Sequence, residues 1–361
     1  GILFILTIAY LMSNNRKAVN WRVIISGLLI QITLAIFVLK VPIGQKIFGA
    51  IGFFIKKILD FSDKGGEFVF GALVNKPHIF DELFGVGSSF IFTFKIIPTI
   101  IFVAVLVNIA YHVGIMQKIV SFVAKIVHKL MGVSGSEALS NASSAFVGQV
   151  EAQIMIKPYV SGMTMSELLA SMTGSMACIA GGVMAVYIAM GVPAEYLLAA
   201  SIMAAPGALV ISKIVWPETE ESETKGVIKL EVKKEHSNIM DAISHGASDG
   251  MKISLNVIAM LIGVIALIAL IDALLGYFGH FLAWTGVSLN AIGIDVTNMR
   301  LKDVVGSLFS LFAIVMGVPV SESMSVRSLM GTKMVINEFV AYSDLSPMIQ
   351  QGILSTKSVV I

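Results

Sequence analysis

Charge is what this 361-residue sequence has least of. Asp, Glu, Lys and Arg make up 13% of it, against 56% hydrophobic residues, and mean hydropathy is +0.88. Soluble domains carry about 25% charged residues, so a water-facing globular fold is excluded and the chain reads as an integral membrane protein. A net charge of +2 provides no basic face, and no nucleic-acid partner is expected. The single cysteine, Cys178, excludes a disulfide within these residues. The six histidines form no HExxH or Cys/His cluster, so no metal site is expected. No nucleophile–base set can be read either, so the chain is not expected to be an enzyme and no cofactor is called for. Methionine is abundant at 20 and reads as adaptable packing between helices.

The apolar runs are therefore the fold, an all-α polytopic membrane protein. Ile2 to Met12 reads as the tail of a span. The loop after it carries Arg16, Lys17 and Arg22, cytoplasmic by the positive-inside rule, and Val23 to Leu39 is the next span, with Trp21 as interfacial anchor. Gln45–Phe61 and Met116–Met131 are amphipathic and basic, as expected of helices lying in the interface. Asp60–Gly71 and Asn75–Glu82 read as polar loops. Ser89–Tyr111, Ser166–Met190, Ala194–Trp216 and Met251–Leu275 are long enough to span. Lys95, near the start of its span, is expected to snorkel to the interface. Pro217–Ser237 reads as a solvated loop, Asp241–Asp249 as an interfacial approach, and Gly276–Arg300 as a polar connection. The chain opens inside an apolar run without Met and closes on Ser-Val-Val-Ile, so further C-terminal spans are expected beyond it.

Two interrupted segments stand out. Ser134 with Glu137, and Thr164 with Glu167, each have the spacing of a capping box, so helices are expected to start at both. Between them a break is expected at Gly148. A helix from Glu137 to Val147 would rise roughly 16 Å, about half of a ~30 Å hydrocarbon core. Gln149 and Glu151 would then turn at mid-bilayer. Val304–Val318 repeats the pattern, an apolar arm ending in Gly317-Val318-Pro319, a carboxylate at Glu322, and a returning arm from Met324 to Tyr342. Broken backbone at that depth is tolerated only in protein or against a cavity, and paired interruptions in two halves of a chain mark inverted-repeat transporters.

These residues also carry a resemblance. Gly148-Gln149-Val150-Glu151-Ala152, Lys157-Pro158-Tyr159, Met163-Thr164 with Ser166-Glu167-Leu168, Ile179-Ala180-Gly181-Gly182-Val183 and Trp216-Pro217-Glu218-Thr219-Glu220 resemble the concentrative nucleoside transporter family. So do Gly317-Val318-Pro319 with Glu322, and the closing run Gly331-x-Lys333-x-x-x-Asn337-Glu338-Phe339-Val340-Ala341-Tyr342. The resemblance covers nearly the whole chain. It implies nucleoside uptake driven by Na⁺ or H⁺, two re-entrant hairpins, elevator-like motion of a transport domain against a scaffold, a homotrimer, and the inner membrane of a bacterium. It divides the chain into scaffold helices (1–115), a transport half with the first hairpin (116–216), a polar loop and interfacial segment (217–250), a scaffold span and connection (251–300), and a transport half with the second hairpin (301–361). By resemblance Gln149, Val150 and Glu151 face the nucleobase, Val183 lines its pocket and Glu322 accepts from ribose hydroxyls. A carboxylate can accept two hydrogen bonds from a diol, and Gln both donates and accepts. Asn337 and Glu338 are expected to support the second hairpin or the coupling.

The coupling ion falls by resemblance at Ser144, Val147, Cys178 and Ile179, the last of each pair through its backbone carbonyl. Here the chain departs from the family. Ser144 replaces an Asn, Cys178 a Ser or Thr, Val150 a Thr or Ser, and Gln153 a Pro. A thiol is a poor ligand for a hard cation. Alternatives therefore stay open: a proton-coupled carrier of an atypical nucleoside-like or nucleobase solute, and a passive facilitator.

Overall fold

Why an apolar chain folds into more helices than spans is answered by where its backbone is interrupted and what satisfies each interruption. The computed structural model describes residues 1–75, 92–146, 148–224, 237–286 and 295–361. The expected polar segment Asn75–Glu82 lies almost wholly outside the described residues. Helices are α1 (Ile2–Leu11), α2 (Trp21–Leu39), α3 (Pro42–Leu59), α4 (Phe61–Phe70), α5 (Ala72–Asn75), α6 (Phe92–Val113), α7 (Ile115–Met131), α8 (Gly135–Ser144), α9 (Gln149–Ile156), α10 (Met165–Ala177), α11 (Gly181–Ala189), α12 (Ala194–Val215), α13 (Ile239–Trp284), α14 (Leu301–Met316), α15 (Ser323–Val335), α16 (Glu338–Gln350) and α17 (Thr356–Val360). Among the described residues, four helices are long and apolar enough to cross a bilayer: α2, α6 from Ile96, α12 and α13. The chain divides into two compact units. One comprises residues 6–189 and 193–254, the other 1–5, 190–192 and 255–361.

In the first unit, α2 starts where the Asn20 side chain accepts from Arg22 N, as an N-cap should. It then packs on α12 closely enough that a Cβ on Gly27 would sit 2.4 Å from Val210. The amphipathic α7 turns Val120, Ala124, Val127 and Met131 inward, into a core shared with Ile24, Leu139, Ile156 and Leu209. Helix α8 lies inside this core, and all ten of its residues are buried. Gly246 and Gly250 bring the start of α13 onto α6, where added Cβ atoms would meet the Val105 and Ile101 backbone at 2.7 and 2.6 Å.

Four expectations are corrected. Asp60–Gly71 is helical as α4, whose buried face, Ser62 and Gly66, packs on α6 through a Ser62–Thr99 hydroxyl contact of 3.1 Å and a close approach to Pro98. Asp241–Asp249, Met251–Leu275 and the start of Gly276–Arg300 form one 46-residue helix, α13; Lys252 and Asn256 do not break it. Ser166–Met190 is not one span. It stops at Cys178, whose backbone is extended, and restarts at Gly181. The start of the supposed solvated loop is docked instead. Thr224 donates to Glu167 Oε1 at 2.7 Å and accepts from Gly135 N through its carbonyl, and Ser222 also donates to Glu167.

That docking belongs to a buried polar knot. Lys213, near the end of α12, donates to Glu137 Oε1 (2.6 Å), Ser166 Oγ (2.8 Å) and Glu218 Oε2 (3.3 Å). Thr164 and Glu167 complete a reciprocal capping box, with Glu167 Oε2 accepting from Thr164 N at 2.8 Å. The Ser134 box is only half made. Ser134 Oγ accepts from Glu137 N, but the Glu137 carboxylate is drawn to Lys213 instead of turning back.

In the second unit, α14 and α15 form a tight antiparallel pair. They meet at Gly306 and Gly331, where a Cβ on Gly331 would lie 2.6 Å from Lys302 O and 3.0 Å from Gly306 Cα. The pair closes over Ala313, Val318, Val326 and Leu354. Asp272 accepts from Leu301 N at 2.7 Å and fixes the start of α14.

Both contacts make predictions. Gly331→Ala must push backbone against backbone and should cost about 1–3 kcal/mol, read as a lowered melting temperature of the detergent-purified protein. Lys213→Met strands the Glu137 charge, and breaking such a buried pair costs about 3–5 kcal/mol. The double variant Lys213→Met/Glu137→Gln should recover much of that loss in the same melting assay. A double variant as unstable as the single one would show that the pair is not what holds these segments.

Candidate hairpin site

The first hairpin is built from α8 and α9. Helix α8 ends at Ser144 and closes with turns from Ala145 N to Asn141 O and from Phe146 N to Ser143 O. It is a turn shorter than the run expected to Val147, a residue outside those described. Gly148 then takes the N-cap position of α9 in extended conformation. Having no side chain, Gly148 cannot cap, so the first amides of α9 keep their donors. Gln149, Val150 and Glu151 are the first three residues of that helix, and Gln149 is exposed. A carboxylate in the first turn is favoured by the helix dipole.

The break in the following helix lies beside this hairpin. A Cβ on Gly181 would sit 2.7 Å from Phe146 O, so glycine is needed for the end of α8 and the start of α11 to meet. Cys178 and Ile179 lie in the extended stretch between α10 and α11, and Val183 is in the first turn of α11, partly buried. Ser144 meets α10 one turn earlier, with its hydroxyl 2.9 Å from Ser140 O and 3.3 Å from Ser175 Oγ.

The second hairpin turns at Gly317, whose φ of 103° is left-handed and suits glycine. Glu322 follows as the N-cap residue of α15. Its Oε2 accepts from both the N–H and the hydroxyl of Ser355, each at 3.0 Å. Ser355 also N-caps α17, accepting from Ser358 N. Asn337 interrupts the returning arm and caps α16, its Oδ1 accepting from Val340 N at 2.9 Å, while Nδ2 points to Met260 Sδ at 3.9 Å. Glu338 is the first residue of α16.

Sequence reasoning missed two groups of residues here. Ser355 was not singled out, although Ser355-x-x-Ser358 is a helix-start spacing. The serine pairs Ser140/Ser144 and Ser171/Ser175 have the four-residue spacing that puts two hydroxyls on one helix face, and that signal was available. Among the described residues, no group of three or more His, Cys, Asp or Glu side chains could hold a metal ion.

Comparison with known proteins covers both hairpins. Three family profiles match along the chain: Na⁺ dependent nucleoside transporter N-terminus over residues 1–73, Nucleoside recognition over 93–194, and Na⁺ dependent nucleoside transporter C-terminus over 196–361. An uncharacterized transporter of Haemophilus influenzae is 37% identical over 97% of this chain and 79% of its own length. The nucleoside permease NupC of Helicobacter pylori is 34% identical over 96% of this chain and 78% of its own. The structure of CNTnw in an inward-facing substrate-bound state superposes with a TM-score of 0.89 at 37% identity, covering 99% of this chain and 82% of that one. These relatives are transporters and permeases, not enzymes. A multi-pass membrane chain with two helical hairpins and matches along its whole length belongs to the concentrative, Na⁺-dependent nucleoside transporter family.

Proposed function

We propose that this chain imports nucleosides across a bacterial inner membrane by cotransport with a cation, Na⁺ or H⁺. The observation that carries the reading is the setting of Glu322. One carboxylate oxygen already accepts an N–H and an O–H from Ser355, each at 3.0 Å. Two neighbouring donors on a carboxylate are what a ribose diol offers, and a carboxylate has lone pairs left for it. Gln149, Val150 and Glu151 read the base from the uncapped start of α9, and Val183 lines the pocket beside the broken helix. Asn337 and Glu338 keep the second hairpin in register through the start of α16.

The wider organisation follows the family. Residues 116–216 and 301–361 form the moving transport part. Residues 1–115 and 251–300 form the scaffold, with 217–250 as the connecting segment, in a homotrimer that works as an elevator. Ser144, Val147, Cys178 and Ile179 stand at the family's ion position, where the serine and thiol favour the proton-coupled alternative over sodium. Val150 takes a hydroxyl away from the base side, which favours an atypical nucleoside-like or nucleobase solute as the second reading. Passive facilitation is the third.

Uptake of labelled uridine and adenosine into proteoliposomes, under separate Na⁺ and H⁺ gradients, tests this. Accumulation above equilibrium under one gradient, abolished by an ionophore, is expected. Glu322→Gln should lower uptake at low substrate on the order of 10–100-fold, the loss of hydrogen bonds to a charged acceptor. Ser355→Ala should lower it by roughly tenfold, with Ser355→Thr retaining most activity. Uptake that merely equilibrates would establish a facilitator, and no uptake of either nucleoside would overturn the substrate class.

A further inference from the structure

Four serines and a glutamine form a hydrogen-bonded circuit, closed through the Ser140 backbone carbonyl, where the first hairpin meets α10. Ser140 and Ser171 hydroxyls are 2.7 Å apart. Ser171 Oγ donates to Gln153 Oε1 at 3.0 Å, and Gln153 Nε2 donates to Ser175 Oγ at 2.5 Å. Ser175 and Ser144 hydroxyls are 3.3 Å apart, and Ser144 Oγ returns the chain to Ser140 through its carbonyl at 2.9 Å. The four serines are buried and the carboxamide is partly buried. Both arms of the hairpin take part, α8 through Ser140 and Ser144 and α9 through Gln153. Both tie to the same face of α10. Gln153 stands one turn after Gln149 in an eight-residue helix, so what holds Gln153 sets where the tip lies.

We propose that Gln153 is a positioning residue, a carboxamide clamp that fastens the hairpin tip to α10 through side-chain hydrogen bonds alone, with no bound cation needed. Ser144 gives its hydrogen to the Ser140 carbonyl and one lone pair to Ser175, which leaves a single lone pair. Cys178, one turn beyond Ser175, offers a soft thiol. The described members of the set that resemblance assigns to a coupling ion are therefore a hydroxyl with one lone pair left, a thiol and the Ile179 carbonyl. Glutamine suits the clamp because one end accepts and the other donates. Alanine offers neither. The proposal rests on the nucleoside reading only for what the tip touches.

Cys178 is the reporter. Alkylation of the purified full-length protein by a maleimide, followed as the Cys178 peptide by mass spectrometry, measures how often the hairpin base opens. Wild-type protein should be alkylated at the same rate in NaCl and in choline chloride. Gln153→Ala should react roughly tenfold faster in both salts, the change expected when two buried hydrogen bonds are lost. Ser175→Ala should raise the rate less in the Gln153→Ala background than in wild type, since the two share one contact. In transport, Gln153→Ala should raise the half-saturating nucleoside concentration by about tenfold and leave the maximal rate nearly unchanged. A Gln153→Ala protein that alkylates at the wild-type rate, or keeps the wild-type half-saturation, overturns the clamp. Wild-type protein protected severalfold by Na⁺ over choline overturns the cation-free part. If no nucleoside is carried at all, the alkylation comparison decides the clamp by itself.

Discussion

One buried ammonium holds the first unit together. Lys213 reaches the start of α8 through Glu137, the start of α10 through Ser166, and the segment after α12 through Glu218. Its side chain is 6% exposed and that of Glu137 2%. In such a setting a charge is tolerated only when it is paired and hydrogen-bonded. Ser134 and Thr164 cap the first amides of α8 and α10, and Lys213 ties those two helix starts together through Glu137 and Ser166.

Where they stop carries the chemistry. Helix α8 ends at Ser144 and α10 at Ala177, so the extended residues around Cys178 lie next to the hairpin. The second unit reaches the same result by another route. There Gly317 turns the chain, Glu322 begins α15, and Ser355 begins α17 while donating twice to Glu322. In the second unit a residue that starts one helix also holds a residue at the start of another. Helix ends in an apolar fold must borrow partners from neighbours, and the borrowing joins the hairpin residues to the packing that orients them.

Much of this was legible in the residues, and the failures have one cause. Thr164 and Glu167 were read correctly as a capping box because both partners are local. Ser134 and Glu137 have the same spacing, yet the Glu137 carboxylate is taken by Lys213, a residue remote in sequence. The turn at Gly317 follows from its left-handed backbone, which suits glycine. The break at Cys178 follows from Gly181 meeting the Phe146 carbonyl, and no periodicity in Ser166–Met190 records that. The charged start of Pro217–Ser237 has the composition of a solvated loop, but Ser222 and Thr224 find buried Glu167. Of the site, Glu322 could be found from a carboxylate after Gly-Val-Pro, whereas Ser355 could not be linked to it.

The sequence by itself determined that the chain lives in a membrane, which runs are helical, where two hairpins interrupt them, and which carboxylates sit at the interruptions. Those properties are local, set by hydropathy, by glycine and proline, and by caps whose partners lie within a turn. Tertiary structure alone decided the partner of each polar group: Lys213 for Glu137, Ser355 for Glu322, and Gln153 as the link between Ser171 and Ser175. A buried polar group must be satisfied by whatever the fold brings within about 3 Å, and only the packed helices determine what that is.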